Sequence, residues 1–361
     1  MSARDDVPTQ LPRDAAQDGR DLLACKALLR DGSRTFLAAS HLLPRDTRDA
    51  ACALYAFCRL ADDAVDLGSD ATAAVAQLRA RLDAIYAGEP HPIAADRALA
   101  VVARRHELPR GLLDGLIEGF EWDAQRRRYA SLDEVLAYAA RVAGAVGAMM
   151  AVLMGVRDRP TLQAACDLGV AMQLSNIARD VGEDARAGRL YLPLDWLQEQ
   201  GVDVQAWLAE PRFDARIGVV VQRLLRLADE LYARGDAGIA ALPRGCQIGV
   251  LAASRLYAEI GRQVARNRFD SVASRAVVSG RRKLQVLGQA WVSGLAAPLG
   301  GSSPAAPQTA FLIDAVPPRQ HRYLRARLVP WWRLRTRALR MLDIVEQLET
   351  RKFVRRQDLS R

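Results

Sequence analysis

Helical periodicity recurs along almost the whole of this 361-residue chain, and it is the feature that most limits the fold. In residues 46–66, for example, apolar side chains return every three or four positions, which is typical of one buried helix face. Proline and glycine separate such stretches, and no alternating pattern of useful length predicts a strand. The pattern therefore predicts an all-α fold whose helices bury their apolar faces against one another.

Composition divides the chain into four segments. Residues 1–19 are polar, contain two prolines and lack periodicity, so we expect a flexible arm. Residues 20–294 carry the helical pattern and predict a single all-α domain, because 50% hydrophobic content is ample for a large core. Residues 295–310 are rich in Gly, Ser, Pro and Ala, which predicts a linker, and residues 311–361 form a basic C-terminal extension.

The net charge of +9 is concentrated at the C-terminal end. Residues 319–361 contain 13 Lys and Arg against 4 Asp and Glu, whereas the rest of the chain has 38 of each sign. Arginines interleaved with leucine and with Trp331 and Trp332 suit the surface of an anionic membrane. A surface helix docked on the body with a solvated basic face is the alternative. Nucleic acid is not expected, because no recognition motif or stacking platform accompanies the charge.

The sequence shows no targeting or membrane-spanning segment. Its first 20 residues are polar, and the longest apolar run, residues 142–156, is interrupted by three glycines and is short for a membrane span. Five cysteines are scattered without the spacing of a zinc site or a disulfide framework. We therefore expect a cytoplasmic protein that the basic extension could hold at the inner face of the membrane.

Two aspartate pairs share the same spacing on predicted helices. Asp62 and Asp66 are four residues apart near the end of one helix, and Asp180 and Asp184 repeat that spacing on another, one turn after Asn176. Residues four apart lie on one helix face, where like charges are unfavourable unless a cation neutralises them. One such pair alone is typical of a solvated helix end, but the repeat favours a shared site. Oxygen ligands suit Mg²⁺ or Mn²⁺, and ions held there could bind a diphosphate.

The residues around these pairs fit a diphosphate that carries a hydrocarbon tail. Arg59 and Arg179 supply positive charge beside the aspartates, and Tyr55 adds a hydroxyl on the same helix face as Arg59. Residues 138–147 are apolar with small side chains that would leave room for a long hydrocarbon chain. Taken singly, such residues are more often core; beside the acid pairs a tunnel is the better interpretation. Its candidate lining residues include Tyr138, Val142 and Gly147.

Three segments resemble the squalene/phytoene synthase family, namely residues 53–66 (ALYAFCRLADDAVD), 138–147 (YAARVAGAVG) and 173–193 (QLSNIARDVGEDARAGRLYLP). The resemblance runs in consistent order from about residue 21 to residue 294. It implies an isoprenoid-synthase-type helical bundle around a central cavity. It also implies head-to-head (1'-1) condensation of two geranylgeranyl diphosphates to phytoene through a cyclopropyl diphosphate, the first committed step of carotenoid biosynthesis. A C30 relative that makes squalene or dehydrosqualene from farnesyl diphosphate remains the alternative.

The resemblance implies roles for individual residues. Those implied as ligands of Mg²⁺ or Mn²⁺ are Asp62, Asp66, Asn176, Asp180 and Asp184. The four aspartates are also implied as catalytic, together with Arg59 and Tyr55. Those implied as substrate-binding are Ser33, Phe36, Tyr138, Val142, Gly147, Gln173, Asn176, Arg179, Arg275 and Arg282. The family often has tyrosine where this chain has Phe269, which weakens the assignments near that residue.

Two other functions fit the sequence less well. Head-to-tail prenyltransferases usually carry motifs of the DDxxD type at both sites. Some members of the family have become assembly factors without enzymatic activity, and loss of the acid pairs would be expected there, yet all four aspartates are present. As partners we expect geranylgeranyl diphosphate and the downstream carotenoid enzymes that would receive the product.

Overall fold

The structure is a computed structural model that describes residues 15–32, 34–67, 70–293 and 306–318. Within these ranges the regular elements are helices, and no strand is present. The first six helices are α1 (Ala15–Gly32), α2 (Arg34–Ser40), α3 (Arg45–Leu67), α4 (Ala71–Ala87), α5 (Ala94–His106) and α6 (Arg110–Ala124). The prediction of an all-α fold is therefore confirmed.

The next helices form the centre of the bundle. They are α7 (Leu132–Ala139), a π-helical segment (Ala140–Gly144), α8 (Ala145–Leu153), α9 (Arg159–Arg186), α10 (Leu194–Glu199), α11 (Val204–Ala209) and α12 (Ala215–Ala237). A 3₁₀ turn (Ile239–Ala241), α13 (Arg244–Arg266) and α14 (Gly280–Ser293) follow, and a 3₁₀ turn (Pro307–Thr309) precedes the short helix α15 (Ala310–Asp314). Residues 270–279 are irregular, although the sequence predicts helix from Ser274.

Helix α9 is the central element, because it packs against α8, α12 and α13. Its first turn is fixed by Asp158, whose side chain accepts a hydrogen bond from the Thr161 backbone N–H at 3.0 Å. Most of its 28 residues are buried. The second acidic motif therefore projects from a helix that is held on several sides.

Helices α8 and α9 approach each other closely at two glycines. A Cβ atom added to Gly147 would overlap the carbonyl oxygen of Ala165, and one added to Gly169 would overlap that of Ala143. The small residues of this segment therefore let two helix backbones touch, which larger side chains would prevent. Because residue numbers rise on one helix as they fall on the other, α8 and α9 run antiparallel.

The continuous helix from Leu132 to Leu153 is, within the described ranges, the one helix long and apolar enough to cross a membrane by length and composition. More than half of its apolar window is buried inside the bundle. It is therefore a core helix of the protein's interior, as the short, glycine-interrupted apolar run indicates.

The described body is longer at both ends than the predicted domain. Helix α1 begins at Ala15, inside the predicted arm of residues 1–19, and residues 306–318 pack onto the body although composition places them in the linker and the extension. Leu312 and Ile313 are buried, and Thr309 donates a hydrogen bond to Gln163 at 3.2 Å. Composition did not predict that this segment packs on the body, because only a short apolar stretch makes the contact. That stretch lies against α6 and α9.

Candidate active site

A largely apolar cavity of about 330 Å³ lies at the centre of the bundle. Helices α2, α3, α8, α9 and α13 line it, together with the π-helical segment and the end of α12. Tyr55, Gln173, Asn176 and Tyr257 face it at one end, which is called the polar end below. Of the residues that the resemblance implies as catalytic or substrate-binding, the lining includes Phe36, Tyr55, Val142, Gly147, Gln173 and Asn176.

The first acidic motif lies one turn beyond the cavity lining of α3. Arg59 pairs with Asp62 (Nη1 to Oδ2, 3.6 Å) and more closely with Asp63 (Nη2 to Oδ1, 2.8 Å). Both Arg59 and Asp62 keep more than 40% of their side-chain surface exposed, so a ligand can reach them. The side chain of Asp66 and the whole of Ser33 lie outside the described residues, and their predicted roles stay predictions.

Tyr55 connects this motif with the cavity wall. Its ring stacks on Phe36 with centroids 5.5 Å apart, and burial raises the pKa of its hydroxyl. A neutral hydroxyl is a hydrogen-bond donor, so Tyr55 could hold a phosphate oxygen at the polar end. Phe36 and Tyr55 are thus adjacent in space, as two neighbouring substrate contacts require.

Asp180 in the second motif is neutralised by two arginines. Arg179 donates from Nε and Nη2 to its two oxygens at 2.6 and 2.5 Å, and Arg275 donates to the same oxygens at 2.8 and 3.1 Å. Arg275 also pairs with Glu183 at 3.3 Å. The cationic partner that an acidic row needs is here a pair of guanidinium groups, which come from α9 itself and from the irregular segment after α13.

The segment that carries Arg275 is fastened to α9 by backbone groups. The Gly182 N–H donates to the Ser271 carbonyl oxygen at 3.0 Å, and Arg186 donates to that of Val272 at 2.5 Å. A Cβ on Gly182 would overlap the backbone of Val272. Gly182, which lies between the two aspartates in sequence, therefore permits the contact that brings Arg275 to Asp180.

Asp184 lies in a crowded acidic environment. Burial and the neighbouring Asp180 carboxylate raise the pKa of Asp184 to about 7, and Asp123 adds to the effect. Asp123 accepts hydrogen bonds from Tyr138 at 2.9 Å and from Tyr191 at 2.7 Å. Asp123 could not be found from the sequence, because a single aspartate without a second acidic residue at helical spacing is common at helix ends.

Tyr138 lies in an aromatic cluster away from the cavity lining. Its ring is 5.3 Å from Tyr129 and 5.1 Å from Tyr191, and only 4% of the residue is exposed. The structure therefore corrects its predicted place as a tunnel residue. Its hydroxyl donates to Asp123, next to the second acidic motif. On this helix the cavity lining begins at Val142, one turn after Tyr138.

Arg282 also lies elsewhere than predicted for a diphosphate contact. It donates to both oxygens of Glu259 at 2.8 and 3.1 Å, and Arg262 and Arg266 pair with the same carboxylate. Glu259 is fully buried and therefore needs this compensation. Arg282 thus joins α14 to α13, and Arg275 is the later arginine that the structure brings to the acidic site.

The ion pairs of Glu259 with Arg262, Arg266 and Arg282 should make folding stability sensitive to acid. Burial alone would raise the pKa of Glu259, but hydrogen bonds from the arginines hold it down to about 2. A lowered pKa stabilises the fold at pH values above the unfolded-state pKa near 4.5, and this contribution is lost as the pH falls through about 2. The shift corresponds to about 3 kcal/mol.

We therefore expect Glu259→Gln to lower stability at pH 7 and the difference from the unmodified protein to shrink as the pH falls from 4.5 towards 2. Denaturant unfolding at a series of pH values measures this difference. Glu230→Gln, an exposed glutamate on α12, is the control and should change little at any pH. A difference for Glu259→Gln that stays constant across the series would contradict the linkage.

Tyr257 is a cavity residue that the sequence analysis missed. It lines the polar end, and its hydroxyl is close enough to Arg179 and Tyr55 for electrostatic interaction with both. A signal for it was present, because Gly249, Ala253 and Tyr257 recur every four residues and lie on one face of α13. That stripe of small residues ending in a tyrosine is the pattern that marks a cavity wall here.

The donor set suits a hard divalent cation. Asp62, Asp180, Asp184 and Asn176 offer oxygen atoms, the ligands that such a cation prefers. Burial, together with the neighbouring Asp180 carboxylate, raises the pKa of Asp184. Within the described residues, no three carboxylate, histidine or cysteine side chains converge into a complete set of metal ligands. The residues thus fit Mg²⁺ or Mn²⁺ in kind, and a cation at Asp180 would compete with the two arginines for its oxygens.

The fold and this site define a helical isoprenoid-synthase-type protein. A family model described as squalene/phytoene synthase matches residues 29–283, and the chain belongs to this family. It is 50% identical over 310 residues to a phytoene synthase of Cereibacter sphaeroides, and the match covers 82% of this chain and 87% of that protein. A phytoene synthase of Rhodobacter capsulatus is also 50% identical, over 303 residues, with 82% and 89% covered.

Solved structures agree with the fold. A dehydrosqualene synthase crystallised with a ligand superposes with a TM-score of 0.72 and 27% identity, covering 78% of this chain and 99% of that chain. A squalene synthase from Alicyclobacillus acidocaldarius gives a TM-score of 0.64 at 23% identity, with 71% and 97% covered, which supports the fold alone. The predicted isoprenoid-synthase-type bundle is confirmed.

Proposed function

We propose that this protein is a prenyltransferase that condenses two geranylgeranyl diphosphates head to head to phytoene. The observation that carries the proposal is a long apolar cavity whose polar end adjoins both acidic motifs and the arginines Arg59, Arg179 and Arg275. Phytoene synthases that are 50% identical over most of the chain support the C40 product. The reaction passes through a cyclopropyl diphosphate and would open the carotenoid pathway, whose later enzymes would receive the product.

Each part of the site has a task in this reaction. The arginines bind the negative diphosphate, and Tyr55 and Tyr257 could donate hydrogen bonds beside it. The apolar wall excludes water, which protects an allylic cation from hydrolysis until the second prenyl chain attacks it. Asp180 would hold Arg179 and Arg275 in place before the substrate binds.

A divalent cation would complete the site. Asp62, Asp66, Asn176, Asp180 and Asp184 are the proposed ligands of Mg²⁺ or Mn²⁺. When bound, the metal neutralises charge that develops on the leaving diphosphate. Gln173 is a proposed substrate contact, because it lines the cavity beside Asn176, whose amide donates to it at 3.4 Å.

The direct test is incubation of the purified protein with labelled geranylgeranyl diphosphate and Mg²⁺, followed by analysis of the hydrocarbons formed. We expect a C40 hydrocarbon, and chelation of the metal should abolish it. The C30 alternative predicts a product from farnesyl diphosphate and none from geranylgeranyl diphosphate. That outcome would contradict the C40 product but would still agree with head-to-head condensation.

A peripheral membrane contact from the cytoplasmic side is the second part of the proposal. The substrate has a soluble head and the product is insoluble in water, so attachment to a membrane would serve both. Residues 319–361, with 13 basic residues, lie outside the described residues. The described chain ends at Pro318, beside Arg157, which donates to the Pro317 carbonyl oxygen at 3.4 Å. Residues 319–361 thus follow directly after a segment that packs on the body.

Ending the chain at Pro318 should reduce binding to vesicles that contain anionic lipid. Each basic residue near such a surface contributes about 1 kcal/mol, so the loss should be large at low salt and smaller at high salt. Vesicle co-sedimentation measures the binding, and neutral vesicles are the control. Equal sedimentation of both chains with anionic vesicles would show that the extension has another role.

A further inference from the structure

The cavity has a polar end and, opposite it, a closed end whose lining is mostly apolar. On α9 its lining residues run from Asn176 at the polar end to Thr161, which is about 22 Å along the helix axis at 1.5 Å per residue. On the π-helical segment and α8 they run the opposite way, from Val142 to Met154. This follows from the antiparallel contact of the two helices, in which Gly169 faces Ala143 and Gly147 faces Ala165.

Three segments meet at the closed end. The residues that line it are Met150, Met154, Thr161, Ala164, Ile239 and Leu242. Met154 and Leu242 are only 9% and 8% exposed, and Thr161 and Ile239 are 4% exposed. A Cβ added to Gly238 would overlap that of Ala164, so the turn after α12 is in direct contact with α9 here. Bulk water therefore has little access to this end.

Four glycines of the wall have no room for a side chain. The glycines at 147 and 169 touch a neighbouring backbone, and added atoms at Gly235 and Gly249 would meet Leu168 and Leu43. Met150 and Met154 are different, because they are flexible side chains one turn apart that face the cavity. Ala164 also lines the cavity, where its methyl group lies against Gly238 of the turn after α12.

We propose that Met150, Met154 and Ala164 form an end stop that sets how many isoprene units of the allylic diphosphate the cavity accepts. A chain with its diphosphate at the polar end must place its last isoprene unit against these three side chains. The inference rests on the proposed function and adds the residues that would separate four-unit from three-unit and five-unit substrates. A larger residue at 164 shortens the cavity, and smaller residues at 150 and 154 lengthen it.

The test measures turnover of prenyl diphosphates of three, four and five isoprene units by two variants, one that should shorten the cavity and one that should lengthen it. For Ala164→Leu we expect kcat/KM for the four-unit substrate to fall about tenfold or more, with the three-unit substrate nearly unaffected. For the double variant Met150→Ala/Met154→Ala we expect the ratio of five-unit to four-unit turnover to rise about tenfold. Calorimetric binding of unreactive thiodiphosphate analogues of the three lengths gives a second readout that does not depend on turnover.

Met149→Ala is the matched control, because Met149 is fully buried on the same helix and does not line the cavity. It should lose stability as a core truncation does and leave the preference for chain length unchanged. An unchanged preference in Ala164→Leu, or a shift in Met149→Ala as large as that of the double variant, would overturn the end stop. Analogue affinities that follow the expected order in a protein without turnover would support the end stop and refute the proposed reaction.

Discussion

Replacing Asp180 by asparagine should lower the rate of condensation by about 10³-fold and leave the helix content unchanged. Its carboxylate is the proposed metal ligand and the group that holds Arg179 and Arg275 together. Asparagine keeps the shape but removes the charge, so cation binding weakens and both guanidinium groups lose their anionic partner. The side chain is 18% exposed, and asparagine matches it in size, so the fold should be retained.

Steady-state kinetics with varied Mg²⁺, together with circular dichroism, would measure this effect. Glu183→Gln is the matched control, because Glu183 lies on the same helix and pairs with Arg275 but is half exposed. It should reduce the rate far less than the change at Asp180. Unchanged turnover in Asp180→Asn would remove this residue from the metal site, and a loss of helix content would point to a structural role.

Adding one methyl group at Gly147 should destabilise the protein by about 3 kcal/mol, at the upper end for overpacking of a core. The new Cβ would overlap the Ala165 carbonyl oxygen, and a backbone atom of α9 cannot turn aside as a side chain can. Helix α8 would have to move away from α9, which would also displace the cavity wall. Thermal and denaturant unfolding of Gly147→Ala measure the effect, and turnover should fall with it.

Gly288→Ala separates this steric effect from the general cost of changing a helical glycine. Gly288 lies within α14. Among the described residues, apart from its chain neighbours and its own helix backbone, no atom lies within 4 Å of the added Cβ position. Alanine there should raise stability by about 0.5 to 1 kcal/mol, because glycine is the weaker helix former. A stable Gly147→Ala variant would contradict the close helix contact.

Gly147 also shows where reasoning from residue types was incomplete. Small side chains between 138 and 147 predict space for a hydrocarbon chain, and Val142 and Gly147 do line the cavity. The missing Cβ of Gly147 nevertheless serves the contact with α9, whose backbone occupies that space. A sequence pattern cannot separate the two uses of a small residue, because both require the absence of a side chain.

The two arginines predicted to contact diphosphate near the end of the domain have different partners in the structure. Arg275 and Arg282 are both arginines near the end of the domain, and one reaches Asp180 whereas the other binds the buried Glu259. Glu259 gave no sequence signal of burial, because a glutamate within an amphipathic helix is usually solvated. Asp123 and Tyr257 reach the site from helices without an acidic motif, so their proximity depends on how the helices pack.

The sequence by itself determined the helical class, the family and the two acidic motifs, because each depends on local spacing: 3.6 residues per turn places an apolar stripe or an i, i+4 aspartate pair on one face. Tertiary structure alone decided which cation neutralises Asp180, which residues close the cavity and where Tyr138, Arg282 and residues 306–318 lie. These facts depend on contacts between side chains far apart in the chain. Packing of helix against helix fixes such contacts, and no local pattern encodes them.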